Sequence, residues 1–163
     1  VFETLPVGGI TMADQWRLTS NYSMSGDGDL TANLEQVDTA GQGTLGSAMT
    51  QSSGVFTFPS TGIWYVAMLL YTYDGADYSY VYSEIDVTTN NSSYTEVAQS
   101  VANGVTAASQ RETSSVVSTL IDVTNTTNVK VKFGLSAATT GVNVWGDTAR
   151  NGTNMMFIRL GDT

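Results

Sequence analysis

Residues 54–73, GVFTFPSTGIWYVAMLLYTY, begin with alternation and end in an almost unbroken apolar run, and this run constrains the fold more than any other feature. Its apolar heart, residues 63–70, is too short for a membrane-crossing helix and of the right length for a strand. Read with period two, Ile63, Tyr65, Ala67, Leu69, Tyr71 and Tyr73 share one face, and Trp64, Val66, Met68 and Leu70 share the other. An antiparallel sheet in a monomer usually leaves one face wet, and its strands then alternate apolar with polar residues. Both faces of this strand call for cover. Two sheets of a sandwich cover only their inner faces, so the outer face must meet a loop, the N-terminal segment or another subunit. Aromatic side chains bury about 150–250 Å² each, so leaving either Trp64 or the tyrosine row exposed would form a large apolar patch. A homo-oligomer contact is the economical solution.

Elsewhere strand signals recur between polar turn clusters, at about the 8–12-residue spacing of a sandwich or barrel, and no segment carries a 3.6-residue apolar period. The fold class is all-β and antiparallel. Residues 129–135 form the clearest half-buried strand, with Val129, Val131, Phe133 and Leu135 alternating with Lys130, Lys132 and Gly134. Residues 115–122 are its expected hairpin partner across the turn cluster at 124–128. Asp74-Gly75 tolerates positive φ and predicts a second hairpin joining residues 63–73 to 78–87. Tyr71 and Tyr73 would then face Tyr78, Tyr80 and Tyr82 in an aromatic ladder. Further strands are expected at 15–19, 44–49, 55–58, 94–102 and 153–160. Residues 1–13, with Pro6 and Gly8-Gly9, are expected to form an N-terminal arm leading into a single domain, residues 14–163.

Composition narrows the function. A 163-residue chain with 41 % hydrophobic residues can bury a core unaided. It has no cysteine and no histidine. Disulfides, thiolate chemistry and the usual general base near neutral pH are therefore absent, and a triad hydrolase cannot be written. No nucleophile-elbow, P-loop or dinucleotide pattern is present, so no enzyme activity, catalytic residue, cofactor or metal is expected. A net charge of −9 with six Lys and Arg offers no basic stripe for nucleic acid, and an anionic membrane would repel the chain. The first residues carry no early positive charge and no apolar core of a secretory signal.

Smaller features have bland explanations. Gly26-Asp-Gly-Asp29 lacks the EF-hand frame and is expected to be a solvated acidic turn. Asp74 and Asp77 are expected at an exposed hairpin tip, where nothing splits the pKa values of a carboxylate pair for glycosidase chemistry. The Asn-x-Ser/Thr sites at Asn21, Asn91, Asn125 and Asn151 are expected in turns. Tyr78 and Tyr80, with Asp74, are candidate ligand-contact residues, because amphipathic rings suit a sugar-stacking platform.

Residues 53–66, SGVFTFPSTGIWYV, resemble the segment of tumour-necrosis-factor/C1q-like jelly rolls in which a G-x-F-x-x-P-x-x-G-x-Y pattern leads into a long central strand. Residues 114–133 are similar to the later hairpin of those domains and residues 156–160 to their closing strand, so the resemblance covers roughly residues 44–160. WRLT near the start, SSGVFTFPSTG in the middle and FIRLGDT at the end also resemble short β-rich proteins of tailed phages from aquatic bacteria. The resemblance implies an antiparallel jelly-roll sandwich that forms a homotrimer around a three-fold axis. On it, Trp64, Tyr65, Met68, Tyr71, Phe133 and Phe157 are candidates for core or trimer interface. Several animal C1q-like domains bind calcium, and no position here matches those ligands.

The function this implies is that of a non-enzymatic phage virion protein, a trimeric jelly roll on the particle surface. Capsid decoration, or cement, is favoured because no long stalk precedes the domain. A receptor-binding fibre tip is the alternative, and a carbohydrate-binding or adhesin module that uses the tyrosine row is a third reading. Expected partners are further copies of the chain, the major capsid protein or another virion protein, and a host surface glycan, with no nucleic acid and no membrane.

Overall fold

The computed structural model describes residues 9–75, 77–104, 112–137 and 140–163. Most of the expected arm, residues 1–8, lies outside the described residues, whereas Met12 and Ala13 already belong to the first strand. In chain order the strands are β1 (Met12–Leu18), β2 (Tyr22–Ser23), β3 (Gly28–Asp29), β4 (Leu34–Gln36), β5 (Thr50–Ser52), β6 (Val55–Thr57) and β7 (Gly62–Gly75). They continue as β8 (Tyr80–Thr88), β9 (Thr95–Asn103), β10 (Thr113–Val123), β11 (Lys130–Ala137), β12 (Val142–Val144) and β13 (Asn154–Gly161). All pairings are antiparallel, in two sheets. The first runs β2-β12-β7-β13-β1-β4, with β10 also paired to β7; the second runs β5-β6-β11-β8-β9, with β3 also on β11.

The alternation read from the sequence places the core. From β7 the even residues Trp64, Val66, Met68 and Leu70 point inward and are fully buried, and from β11 so do Val131, Phe133 and Leu135. Phe56 of β6 is the hub between the sheets, with ring centroids 5.4 Å from Trp16, 5.5 Å from Phe133 and 5.1 Å from Phe157. Phe58 bridges to Trp64 at 5.3 Å. Such edge-on and tilted contacts add to what burial alone contributes.

The two glycines of GVFTFPSTG have a steric reason. Gly54 (φ 79°) follows Ser53 (φ 50°) in the turn between β5 and β6, and Gly62 (φ 134°) opens β7. A Cβ on Gly54 would strike the carbonyl oxygen of Leu30, and one on Gly62 that of Gly161. In both places the chain needs a left-handed backbone and a close approach together.

Both expected hairpins are corrected by the topology. Residues 63–73 and 78–87 do not pair, because β7 lies in the first sheet between β10 and β13, whereas β8 lies in the second between β11 and β9. Asp74 and Gly75 continue β7, where Gly75 faces Val142. Likewise β10 pairs with β7 and not with β11. The chain crosses between sheets after β7 and again after β10, the second time through a turn at 124–129 that Asn125 closes by accepting hydrogen bonds from the amides of Thr127 and Asn128. The strand expected at 44–49 reduces to a two-bond bridge between Leu45 and Ala13.

Candidate functional site

With β7 central in the first sheet, its odd residues point away from the core, and the register sets them in rows with their neighbours. Ala13, Ile158, Tyr65 and Leu120 form one row across β1, β13, β7 and β10. Gln15, Met156, Ala67 and Ser118 form the next, and Arg17, Asn154, Leu69 and Val116 the third. Most of the apolar members are half-buried, whereas Val116 and Leu120 are 56 % and 61 % exposed. Leu45 and Leu160 are further large apolar groups left exposed.

The single charge in these rows is cancelled in place. Arg17 is fully buried and donates from Nε to Glu35 at 2.7 Å, from one terminal nitrogen to Asp38 at 2.9 Å and from the other to the Thr39 hydroxyl at 2.7 Å. The planar guanidinium suits this forked arrangement. Beyond the third row, Tyr71 packs against Trp145 at 5.3 Å, and the Arg150 guanidinium sits 5.3 Å from the Trp145 ring. Burial, and then the neighbouring Glu112 carboxylate, push the Tyr71 phenol above its ordinary value. Leu69, Tyr71, Glu112, Thr113 and Ser114 line an open concavity of about 360 Å³ there. The rows form an apolar surface on paired strands whose one charge is compensated, edged by Glu112 and by Arg150 in its ion pair with Asp147.

A second buried polar centre anchors the chain beneath this face. Asp14 on β1 is almost fully buried, and its Oδ1 accepts from the amide of Gln15, Gln36 Nε2 and the Thr44 hydroxyl. Its Oδ2 accepts from Trp16 Nε1 and the buried amide of Met49, each at 2.9 Å. One carboxylate thus holds residues 36–49 against β1.

The outward side of the second sheet is charged along β8 and β11, whereas β9 leaves Val97 and Val101 exposed. Glu84 and Asp86 on β8 flank Gly134 of β11, and a Cβ on Gly134 would lie 3.0 Å from a Glu84 oxygen. Burial, and then Glu96, raise the Glu84 carboxyl above its usual range; burial, and then Asp29, raise that of Asp86. The Gly26–Asp29 carboxylates are engaged by the protein: Asp29 pairs with Lys132 at 2.9 Å and Asp27 accepts from the amide of Ala137 at 3.1 Å. Among the described residues no group of three or more Asp or Glu is placed to hold a metal ion.

The sequence-derived candidates separate into different places. Trp64, Met68, Phe133 and Phe157 are core residues, and Tyr65 and Tyr71 stand on the outer face of the first sheet. Tyr78 is a correction. It is 2 % exposed, with its hydroxyl 2.8 Å from that of buried Thr72, so it cannot stack on a ligand. Tyr80 is 37 % exposed and packs on Tyr82 at 4.8 Å, on the other sheet from Tyr71 and Tyr73, so no common tyrosine row exists. The side chain of Asp74 lies outside the described residues. Asp14 and Arg17 carried no sequence signal as buried centres, since their partners lie up to 35 residues away.

No protein-family model and no curated protein matches the sequence. Solved structures do match the fold. Murine APRIL superposes with a TM-score of 0.61 at 9 % identity, covering 91 % of this chain and 98 % of that one. Eiger TNF from S. frugiperda gives 0.64 at 10 %, covering 95 % and 96 %. The PRD1 vertex protein P5 gives 0.57 at 15 %, covering 94 % and 100 %. At such low identities the likeness speaks for architecture alone: the chain is an antiparallel, all-β jelly roll of the TNF-like type.

Proposed function

We propose that the chain is a non-enzymatic structural protein of a phage particle, which trimerises through the outer face of its first sheet and sits on the capsid as a decoration subunit. The observation that carries this reading is the set of apolar rows centred on Tyr65 and Leu69, rigid and free of uncompensated charge, with Leu120 and Val116 at their edge. A second copy covers these rows at no cost in buried unpaired charge. Three-fold assembly is what the resemblance to TNF/C1q-like jelly rolls implies, and likeness to a PRD1 vertex protein supports a place on a virion. The strands of the second sheet then face outward, presenting charge, hydroxyls and the exposed Val97 and Val101 of β9, while the trimer meets the major capsid protein.

The test is the copy number of this protein in purified particles that carry it, measured against the major capsid protein by quantitative mass spectrometry. Decoration requires a ratio near one to one with the capsid subunit or a simple fraction of it. A handful of copies per particle would assign the protein to a tail or fibre and overturn the decoration reading.

A further inference from the structure

The chain has two lysines, and both stand on the outer side of the second sheet, two residues apart on β11. They border a groove of about 560 Å³ between β11, β6, edge strand β5 and the loop before β9. The register runs Thr50, Thr57, Lys130 and Thr88 across four strands, so the groove floor is a rigid ladder. Its far wall is Tyr94, whose ring centroid lies 4.3 Å from Lys132 Nζ.

The two lysines are not equivalent. Lys132 is neutralised by Asp29 at 2.9 Å. Lys130 has no ion-pair partner among the described residues, so the groove holds one uncompensated positive charge in a chain of net charge −9. Around it stand polar groups that no described residue uses: the hydroxyls of Thr50, Ser52 and Thr57, and the carboxamide of Asn91. The loop that presents Asn91 is held in advance. Asn90 Oδ1 accepts from the amides of Ser92 and Ser93 and from the hydroxyl of buried Thr88, and the amide of Asn91 donates to Asn128. Asn91 itself sits at φ 57°, a left-handed conformation that asparagine tolerates. A groove whose walls are ordered before a ligand arrives spends less of its interaction energy on ordering.

From this arrangement we infer that the groove bounded by Lys130, Tyr94, Thr57 and Asn91 is a binding site for a sugar that carries a single carboxylate, such as a uronic acid. The ammonium of Lys130 meets the carboxylate, the spare hydroxyls and the Asn91 amide meet the sugar hydroxyls, and the Tyr94 ring receives an apolar sugar face. A polyanion is disfavoured, since the carboxylates of Asp29, Asp86 and Glu84 lie along the same sheet face beyond Lys132. The groove is on the side of the sandwich away from the apolar rows, so it is accessible in a monomer and in a trimer alike.

Saturation-transfer difference NMR tests this with the intact protein and three probes at constant ionic strength: sodium glucuronate, glucose and inorganic phosphate. The expected result is saturable transfer to glucuronate, at least tenfold weaker binding of glucose, and no competition by equimolar phosphate. Lys130→Gln and Tyr94→Ala, both half-buried at the groove, should each weaken glucuronate at least fivefold, and Lys130→Gln should do so while leaving the melting curve in place. Absence of saturable transfer, equal response to glucose, full displacement by phosphate, or unchanged affinity in Lys130→Gln would each overturn the assignment.

Discussion

Replacing Asp14 by alanine removes one acceptor that serves five donors, and the structure sets the scale of the loss. The amide of Met49 is buried and left with no partner, which costs about 1–3 kcal/mol. Trp16 Nε1, Gln36 and Thr44 are partly exposed and regain water in part, so each loses a fraction of a charge-assisted bond, roughly 0.5–1 kcal/mol. The total is about 2.5–6 kcal/mol, which brackets the cost of breaking other buried charged pairs. A domain of this size has roughly 5–15 kcal/mol to lose, so the variant should fold but be severely weakened. With a urea dependence of about 2 kcal/mol per molar, the unfolding midpoint should fall by roughly 1.2–3 M. The measurement is equilibrium urea denaturation followed by tryptophan fluorescence at fixed protein concentration, because self-association makes the midpoint concentration-dependent. A double-mutant cycle with Trp16→Phe isolates one branch and should give a coupling of about 1 kcal/mol. A loss below about 1 kcal/mol for Asp14→Ala, or no coupling to Trp16, would refute the view that this carboxylate holds residues 36–49.

Other outcomes follow from the same geometry. Leu120→Glu places a charge in the exposed apolar row; it should leave the monomer's own stability within about 0.5 kcal/mol yet abolish self-association, read by sedimentation velocity. Gly62→Ala forces a side chain at φ 134° into the Gly161 carbonyl and the Arg159 guanidinium, and should cost about 2 kcal/mol or more in thermal or urea unfolding. Glu84 holds its proton more tightly folded than unfolded, so the fold is favoured while Glu84 is protonated and weakened as pH rises through its raised titration. Glu84→Gln should therefore raise the urea midpoint slightly at pH 7, with the gain vanishing as pH drops below the ordinary glutamate value of 4.5.

What the sequence made legible was local. Period-two alternation separated Trp64, Val66 and Met68 from Tyr65, Ala67 and Leu69 without saying which set faces the core, and it put Lys130 and Lys132 on the wet side of their strand; the structure turns the first set inward. Pairing was not local and was misread. Asp74-Gly75 has hairpin chemistry, yet a jelly roll sends successive long strands to opposite sheets, and β7 finds its partners 41 to 98 residues away. Tyr78 looked like a surface ring because its neighbours Tyr80 and Tyr82 are outward. The crossing between sheets carries it into the core, where Thr72 satisfies its hydroxyl. The buried centres at Asp14 and Arg17 escaped notice for a related reason, since a carboxylate and a guanidinium in a strand read as solvent-facing until tertiary partners are known. The groove at Lys130 depends on β5, β6 and the 89–94 loop meeting β11, which no single segment announces.

The most direct test is the solution mass of the unmodified chain at micromolar concentration in physiological salt, by sedimentation equilibrium. Assembly through the outer face of the first sheet requires three times the 17.3 kDa chain mass, unchanged on tenfold dilution and reduced to one chain by Leu120→Glu. A stable 17.3 kDa species across that range would contradict it, leaving Tyr65, Leu69, Val116 and Leu120 open to water with no copy to cover them.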